Sequence, residues 1–160
     1  MKTRTVKQTV RLGPGLLGLL LALPVQAADP VLVGSYNTGG LAPGVVVSGQ
    51  YAYVADYWEG LHVFDVSKPT NCMRLGGYDS GGTANAYGVA VSGNYAYVAD
   101  GVNGLQVIDV SNPTNCVRVG GFDTNEWADA VAVSGNYTYV ADAGAGLQVI
   151  DVSDPTNSCA

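Results

Sequence analysis

The feature that most constrains this chain is a repeat of about forty-three residues. The stretch YVADYWEGLHVFDVSKPTNC at 53–72 returns as YVADGVNGLQVIDVSNPTNC at 97–116 and, nearly whole, from Tyr139 to Cys159. Successive copies are offset by 44 and then 42 residues. Glycine-rich repeats with a period in the forties are typical of propeller blades or of other repeat arrays. Stacked copies of one small unit are therefore predicted over about residues 31–74, 75–118 and 119–160.

Within each unit the local signals are those of short strands. Two strand-like segments, GVAV and YAYVA, flank the tight-turn sequence SGN. A third, LQVIDV, follows a glycine-containing connection. The residues SNPTN, which are typical of a turn, then precede the fourth segment, CVRVGGF. The pattern shows no helical periodicity. Four strands per unit predict an all-β fold built from antiparallel meanders.

The apolar pattern predicts that each sheet is buried on both faces. In YAYVA the two tyrosines share one face, and Ala96 and Val98 occupy the other, so neither face is polar. A radial stack of four-stranded sheets satisfies this pattern, because each blade is covered by its neighbours. We therefore expect a β-propeller-type array of four-stranded antiparallel blades, with about three blades present.

The same residues carry a family resemblance. GLQVIDVSNPTNCVRVGGF, with VAVSGNYAYVAD ahead of it, resembles the LVIVD-repeat family of bacterial and archaeal exported proteins. The resemblance covers nearly all of residues 31–159. It implies a β-propeller fold and an exported location, and it supplies no catalytic residues and no cofactor.

The number of blades leaves three alternatives open. VLVGSY at 31–36 matches the fourth strands MRLGGY and VRVGGF, so twelve strands make three blades if this first strand completes the last sheet. Propellers typically have about four to eight blades. The chain is then a partial propeller truncated from a longer protein, an open array, or one half of a six-bladed ring closed by two chains. Open blade edges would favour self-association.

Residues 1–28 read as a secretory signal peptide. Four basic residues precede an apolar run at 12–23, and PVQAAD then offers the small residues that a signal peptidase requires. The apolar run is shorter than the roughly 20 residues of a membrane-spanning helix. We expect the repeat domain, residues 29–160, to be secreted, periplasmic or displayed at the cell surface, with no membrane span in the mature chain.

The net charge of the repeat domain limits the kinds of partner that it can bind. Beyond the signal, thirteen acidic residues face only three basic ones, a net charge of about −10. Nucleic-acid binding needs Lys and Arg to neutralise phosphates, so it is excluded, and an anionic lipid surface is disfavoured for the same reason.

The three cysteines leave their pairing open. Cys72 and Cys116 hold the same place in successive units, whereas Cys159 is shifted by one residue. Export permits disulfides, but equivalent positions on neighbouring units usually lie farther apart than the roughly 7 Å that a bridge tolerates. The alternatives are a bond between Cys72 and Cys116, or two cysteines that serve as small buried hydrophobic residues.

Variation among the copies is confined to one end of the predicted blades. In a meander, the hairpin between the second and third strands lies at the same end as the crossing to the next blade. These hairpins read YWE at 57–59, GVN at 101–103 and AGA at 143–145, whereas the turns at the opposite end barely change. The crossings also differ: NTGGLAPG from Asn37, DSGGTANAYG from Asp79 and DTNEWADA from Asp123. We call this end the variable loop face.

Candidate binding residues concentrate on the variable loop face, since loops on a rigid scaffold usually carry recognition. Four are aromatic and three are acidic: Tyr57, Trp58, Tyr87, Trp127, Glu59, Glu126 and Asp129. Exposed aromatic rings can stack on a sugar or anchor a protein partner. The alternative is that the loops vary freely and that Trp58 and Trp127 fill the blade junctions.

The remaining polar positions are interpreted as structural. Asp56, Asp100 and Asp142 are expected to cap turns with their side chains, because the alternating oxygen ligands of a calcium loop are missing. Asp65, Asp109 and Asp151 are expected to accept backbone N–H bonds from the turn that follows. His62, the single histidine, is expected to be a strand residue, so no metal site and no catalytic site is predicted.

These observations favour an exported, non-enzymatic scaffold that binds a protein or a glycan through the variable loop face. Two alternatives remain. One is a hydrolase that uses Glu59, Glu126 and Asp129 for acid–base or metal-assisted work. The other is a purely structural fragment of a longer propeller.

Overall fold

A computed structural model describes residues 29–81 and 85–156 of the chain. The signal peptide predicted over residues 1–28 and Cys159 lie outside the described residues. The strands given below all belong to the unit Leu32–Ala160. The described residues contain no helix long and apolar enough to cross a membrane.

Eleven strands form three antiparallel sheets in the described residues. Blade 1 contains β1 Gly44–Ser48, β2 Tyr51–Ala55, β3 Leu61–Asp65 and β4 Met73–Tyr78, in that order. Blade 2 contains β5 Gly88–Ser92, β6 Tyr95–Ala99, β7 Leu105–Asp109 and β8 Val117–Phe122. Blade 3 contains β9 Ala128–Ser134, β10 Tyr137–Asp142 and β11 Gly146–Asp151. The predicted all-β array of propeller blades is confirmed.

A glycine sets the first hairpin of each blade. The turn between β1 and β2 closes the pair Ser48 and Tyr51, and Gly49 at its centre has φ of 59°. The matching Gly93 and Gly135 both have φ of 57°. This left-handed backbone is the one that tight hairpins require and that glycine adopts without steric cost.

Three aspartates fix the turn that follows the third strand, as predicted. The backbone N–H of Ser67 donates to Oδ1 of Asp65 over 2.8 Å. The same bond, of the same length, joins Ser111 to Asp109 and Ser153 to Asp151. Hydrogen bonds to the Ser67 hydroxyl and backbone hold the pKa of Asp65 below its usual value. The carboxylate is therefore ionised where it holds the turn.

Blade packing uses two complementary faces, which we call front and back. The front face points towards the following blade and the back face towards the preceding one. The front of blade 1 (Tyr53, Ala55, Leu61, Val63) packs on the back of blade 2 (Ala96, Val98, Ile108). The front of blade 2 (Tyr97, Ala99, Leu105, Val107) packs on the back of blade 3 (Val140, Ile150, Val152). Blade 2 is therefore buried on both faces, as predicted.

The prediction of two buried faces is wrong for blade 3. On its front face Tyr139, Leu147 and Val149 are 36%, 66% and 55% exposed. Within the described residues no further blade follows to cover them. The back of blade 1 is also open along β1, where Val45 and Val47 are 66% and 61% exposed.

The fourth-strand motif at 31–36 does not complete blade 3. No strand is formed there, and within the described residues blade 3 has three strands. The segment lies instead behind blade 1, where the ring of Tyr36 meets that of Phe64 with centroids 4.9 Å apart. A Cβ on Gly34 would overlap the carbonyl oxygen of Pro69, as one on Gly76 would overlap that of Pro113. The segment thus packs against the back of blade 1 in the same way as β4 packs against the back of blade 2.

Cys72 and Cys116 are both free and half-buried. The thiol of Cys72 donates to the carbonyl of Pro69 over 3.5 Å, and that of Cys116 lies 3.8 Å from the carbonyl of Pro113. Burial raises the pKa of the Cys116 thiol. Each thiol therefore contacts a carbonyl of the turn that precedes it in its own blade.

Candidate functional site

The hairpins and crossings of the variable loop face are joined by backbone hydrogen bonds. Tyr57, in the hairpin of blade 1, forms an isolated antiparallel bridge with Ala86 in the crossing to blade 2, with both N–H···O distances 3.0 Å. Gly101 and Ala128 repeat this bridge at the next junction. The strand order therefore brings the variable segments to one end of the array and links each hairpin to the following blade.

Four aromatic rings lie next to one another on this face, and we call them the aromatic row: Trp58, Tyr57, Tyr87 and Trp127. The ring centroids of Trp58 and Tyr57 are 5.1 Å apart, and those of Tyr57 and Tyr87 are also 5.1 Å apart. Those of Tyr87 and Trp127 are 6.0 Å apart. All three pairs meet edge to face, which is a favourable geometry for aromatic rings. The four aromatic candidates from the sequence are thus brought together.

A hydroxyl pair crosses the middle of the aromatic row. The hydroxyl of Tyr87 donates to the hydroxyl of Tyr57 over 3.1 Å. This bond, followed by burial, raises the pKa of Tyr87. Tyr87 is therefore neutral at physiological pH, and the row presents both apolar ring surface and a hydroxyl.

The two tryptophans differ in their surroundings. Trp58 is 51% exposed, so it does not fill a blade junction. Trp127 is half-buried at the junction of blades 2 and 3, where its carbonyl accepts the N–H of Ala143 over 2.9 Å. A Cβ on Gly101 would lie 3.1 Å from Cε2 of its ring, so the ring lies directly on that glycine. The packing interpretation thus fits Trp127, whereas Trp58 is available to a ligand.

Tyr57 has a strained backbone. Its φ of 50° makes it the one non-glycine residue with positive φ in the described part of the chain. The matching residue of blade 2 is Gly101, whose φ is 52°. A bulky residue in this conformation costs roughly 1–3 kcal/mol, and such strain clusters at functional sites. The sequence held a signal for it, because one repeat carries glycine where another carries tyrosine.

The three acidic candidates lie at the surface, and Asp129 belongs to β9 rather than to the crossing. Glu59, Glu126 and Asp129 are all exposed. The side chain of Glu126 lies over the hairpin of blade 3, where its Cγ would be 2.9 Å from a Cβ on Gly144. In the residues that the structure describes, no three His, Cys, Asp or Glu side chains are grouped so that they could hold a metal ion.

The prediction that Asp56, Asp100 and Asp142 cap turns with their side chains is confirmed for Asp100, whose carboxylate bonds a residue of the same hairpin. It is wrong for Asp56 and Asp142, whose carboxylate oxygens have no hydrogen-bond partner among the described residues. The turn bonds of blade 1 come from backbone carbonyls: Glu59 N–H donates to the carbonyl of Asp56 over 2.9 Å. All three carboxylates are buried. That of Asp100 accepts from Asn103 Nδ2 at 3.1 Å and from Ser80 Oγ at 3.3 Å, and burial raises its pKa.

The Asp56 carboxylate faces the single histidine. Its Oδ2 lies 3.6 Å from Nδ1 of His62, and both side chains are buried. Burial, followed by the charge of Arg74, lowers the pKa of His62, although Asp56 and Glu59 oppose this shift. His62 is a strand residue, as predicted, and it is neutral near pH 7. The contact with Asp56 was missed because five residues separate Asp56 and His62 in the sequence.

Comparison with known proteins supports the fold. The family described as LVIVD repeat matches residues 39–80, 82–124 and 127–159. No curated protein matches the chain. Among solved structures, the computationally designed Ika4 protein is similar, with a TM-score of 0.63 at 13% identity over 78% of this chain and 74% of that one.

Two further structures are similar over a smaller share of their own length. The designed Ika8 protein matches with a TM-score of 0.57 at 12% identity, over 69% of this chain and 33% of that one. The glutaminyl cyclase of Myxococcus xanthus matches with a TM-score of 0.51 at 17% identity, over 69% of this chain and 47% of that one. At these identities the similarity concerns the fold alone.

Proposed function

Because the chain belongs to the LVIVD repeat family, we propose that it is an exported, non-enzymatic scaffold whose aromatic row binds a glycan. The observation that carries this proposal is the exposed ring of Trp58 at the end of a row of packed rings. A half-exposed indole beside a strained tyrosine is costly to maintain for packing alone. Its position on a loop between rigid sheets suits recognition.

A sugar ring fits the row better than a protein surface does. Tyr57, Tyr87 and Trp127 are half-buried, so the apolar area open to a partner is centred on one indole. A stable protein interface covers about 800 Å² on each partner, with a cluster of buried anchors. One exposed indole matches the face of a single sugar unit instead.

The polar neighbours suit the hydroxyl groups of a sugar. Glu59 follows Trp58 directly, is exposed, and can accept hydrogen bonds from hydroxyls. Glu126 lies farther along the same face, in the crossing to blade 3, and Asp129 lies near the start of β9. Their negative charges favour a neutral or cationic glycan over an acidic one.

The substitution Trp58→Val tests the proposal, since valine is the residue that blade 2 carries at the same place (Val102). Binding of the full chain to a glycan array should fall by about tenfold or more, the effect of losing one stacking anchor. Val102→Ala removes a similarly exposed side chain from blade 2 and serves as the matched control. Equal binding by the wild type and Trp58→Val would exclude the aromatic row. Capture of a protein in a parallel pull-down, with no glycan bound, would exclude the glycan.

The absence of enzymatic activity is part of the proposal, and it is motivated by a sequence in which no set of residues specifies a reaction. A screen of glycoside and ester substrates, with and without calcium, is expected to show no turnover. Turnover that is lost in Glu59→Gln or Glu126→Gln would favour the hydrolase alternative.

Export is supported by the basic and apolar pattern of residues 1–28. Expression of the full chain in a bacterial host, followed by fractionation and amino-terminal sequencing, tests it. We expect the protein outside the cytoplasm with a new amino terminus at Ala28 or Asp29. Retention of Met1 in the cytoplasmic fraction would contradict export.

A further inference from the structure

We propose that two copies of this chain associate head to tail into one closed ring of six blades. The front of blade 3 in each copy would dock on the back of blade 1 in the other. Residues 32–36 of one copy would supply the fourth strand of blade 3 in its partner.

The front face of blade 3 is a copy of two surfaces that are already interfaces. It carries Tyr139 opposite Val149 and Ala141 opposite Leu147. The buried fronts of blades 1 and 2 carry the same four residue types in the same register: Tyr53, Val63, Ala55 and Leu61, then Tyr97, Val107, Ala99 and Leu105. The same surface is thus buried on blades 1 and 2 and exposed on blade 3. Large exposed apolar patches of this kind mark association sites.

The back face of blade 1 is the complementary surface. Its exposed Val45 and Val47 match Val89 and Val91 of blade 2, which are partly buried against the core between blades 1 and 2. The pairings Val45 with Val54 and Val89 with Val98 have the same register. Both surfaces that form the interface between neighbouring blades are therefore also exposed in the described residues: the front face on blade 3 and the back face on blade 1.

Residues 32–36 lie where the fourth strand of a preceding blade would lie. Gly34 meets the turn of blade 1 at Pro69 as Gly76 of β4 meets the turn of blade 2 at Pro113. Tyr36 covers Phe64, which is the counterpart of Ile108 in blade 2. In the described residues β11 is an edge strand, with β10 on one side only. If blade 3 of one copy docks behind blade 1 of the other, the free edge of β11 lies next to residues 32–36 of that other copy, which carry the fourth-strand motif.

Head-to-tail contacts close into a ring when the rotation per unit allows it, and otherwise continue into filaments. The described residues of two chains supply six blades. This number lies within the range of about four to eight that propellers adopt. In such a ring every blade has two neighbours, and the exposed apolar residues of both ends are covered. A second copy is therefore the occupant that fits both ends at once.

The first experiment measures mass in solution by light scattering or sedimentation, with the full chain over a range of concentrations. The wild type should have the mass of two chains. Leu147→Glu, on the front of blade 3, and Val45→Glu, on the back of blade 1, should each raise the dissociation constant at least about a hundredfold, because each would bury an unpaired charge. Both positions are exposed in the single chain, so circular dichroism should show the wild-type fold.

The matched control is Val117→Glu. Val117 is an apolar residue of β8 with a similar exposure, 48%, but it lies outside both faces. This variant should retain the two-chain mass. Loss of association in the control would show a general effect of charge and would overturn the proposal.

Mixing the two interface variants tests the head-to-tail arrangement directly. Each variant alone has no intact contact, whereas a pair made of Leu147→Glu and Val45→Glu retains one wild-type contact. Two-chain species should therefore reappear on mixing. A monomeric wild type, open-ended polymers, a Val45→Glu variant that still pairs, or a mixture that stays monomeric would each overturn the closed ring.

Discussion

The hydroxyl of Tyr87 donates a hydrogen bond of 3.1 Å to the hydroxyl of Tyr57. Tyr87 directly precedes β5 of blade 2, and Tyr57 follows β2 of blade 1. The bond therefore joins two blades at the centre of the aromatic row. The stability of the junction and the shape of the proposed binding surface therefore depend on the same pair.

Tyr57→Phe should lower the pKa of Tyr87 towards 10.0, because the hydrogen bond to Tyr57 is the first cause of its raised pKa. The lost bond should also cost about 0.5–1.5 kcal/mol of stability at neutral pH. A raised tyrosine pKa stabilises the fold fully below pH 10 and ceases to do so as pH rises through the raised value. NMR titration of labelled tyrosine measures the shift. Tyr95→Phe, in β6, is the control and should leave Tyr87 unchanged.

Gly101→Ala should destabilise the protein more than Gly93→Ala does. Both glycines have positive φ, 52° and 57°, so each substitution costs roughly 1–2 kcal/mol in backbone strain. A Cβ on Gly93 meets nothing within 4 Å, whereas one on Gly101 would lie 3.1 Å from the ring of Trp127. We expect a further loss of about 1 kcal/mol for Gly101→Ala. Equal unfolding midpoints in urea would show that Trp127 moves away freely.

His62→Gln should remove a pH dependence of stability. The pKa of His62 is lowered from 6.5, first by burial, so its neutral form stabilises the fold above pH 6.5 and this contribution is lost as pH falls. The wild type should lose at most about 1.4 kcal/mol per pH unit relative to the variant. Urea unfolding at neutral and mildly acidic pH measures the difference.

Gln106, the counterpart of His62 in blade 2, provides the converse test. Its Nε2 donates to the carbonyl of Asn103 over 2.5 Å, and its Oε1 accepts from Arg118. Gln106→His should introduce an acid-sensitive loss of stability into blade 2. An unchanged pH profile in both variants would contradict the burial argument.

Thr138→Val should stabilise the protein by about 1–3 kcal/mol. Thr138 is fully buried on the back of blade 3, and its hydroxyl has no hydrogen-bond partner among the described residues. Valine has the same shape and removes the uncompensated polar group. The control is Thr156→Val, since the exposed hydroxyl of Thr156 donates to Asp154 over 2.7 Å. A higher melting temperature for the control alone would contradict this account.

Local signals were sufficient to predict the blades. The turn glycines, such as Gly49, and the aspartates of the SNPTN-type turns act within a few residues of their partners, so the sequence specifies them directly. The aromatic row was predicted as a set because the strand order fixes which loops share an end. Its edge-to-face contacts depend on the separation of neighbouring blades, which the repeat pattern does not contain.

Non-local contacts account for what the sequence did not predict. The carboxylate of Asp56 is buried because the crossing ahead of β1 covers it, and a Cβ on Gly40 would lie 2.6 Å from its Oδ1. Residues 31–36 carry the fourth-strand motif, but a motif specifies the shape of a strand and not the sheet that it joins. The strain at Tyr57 is visible only when the repeats are compared with each other.

Because each blade meets its neighbour through the same residue types in the same register, a duplicated unit would arise with both of its contact surfaces ready. Gain or loss of one whole unit by recombination would then require no compensating substitutions elsewhere. The lineage could thus change the size of the assembly in single steps, while the hairpins at 57–59 and their counterparts diverged independently of that change.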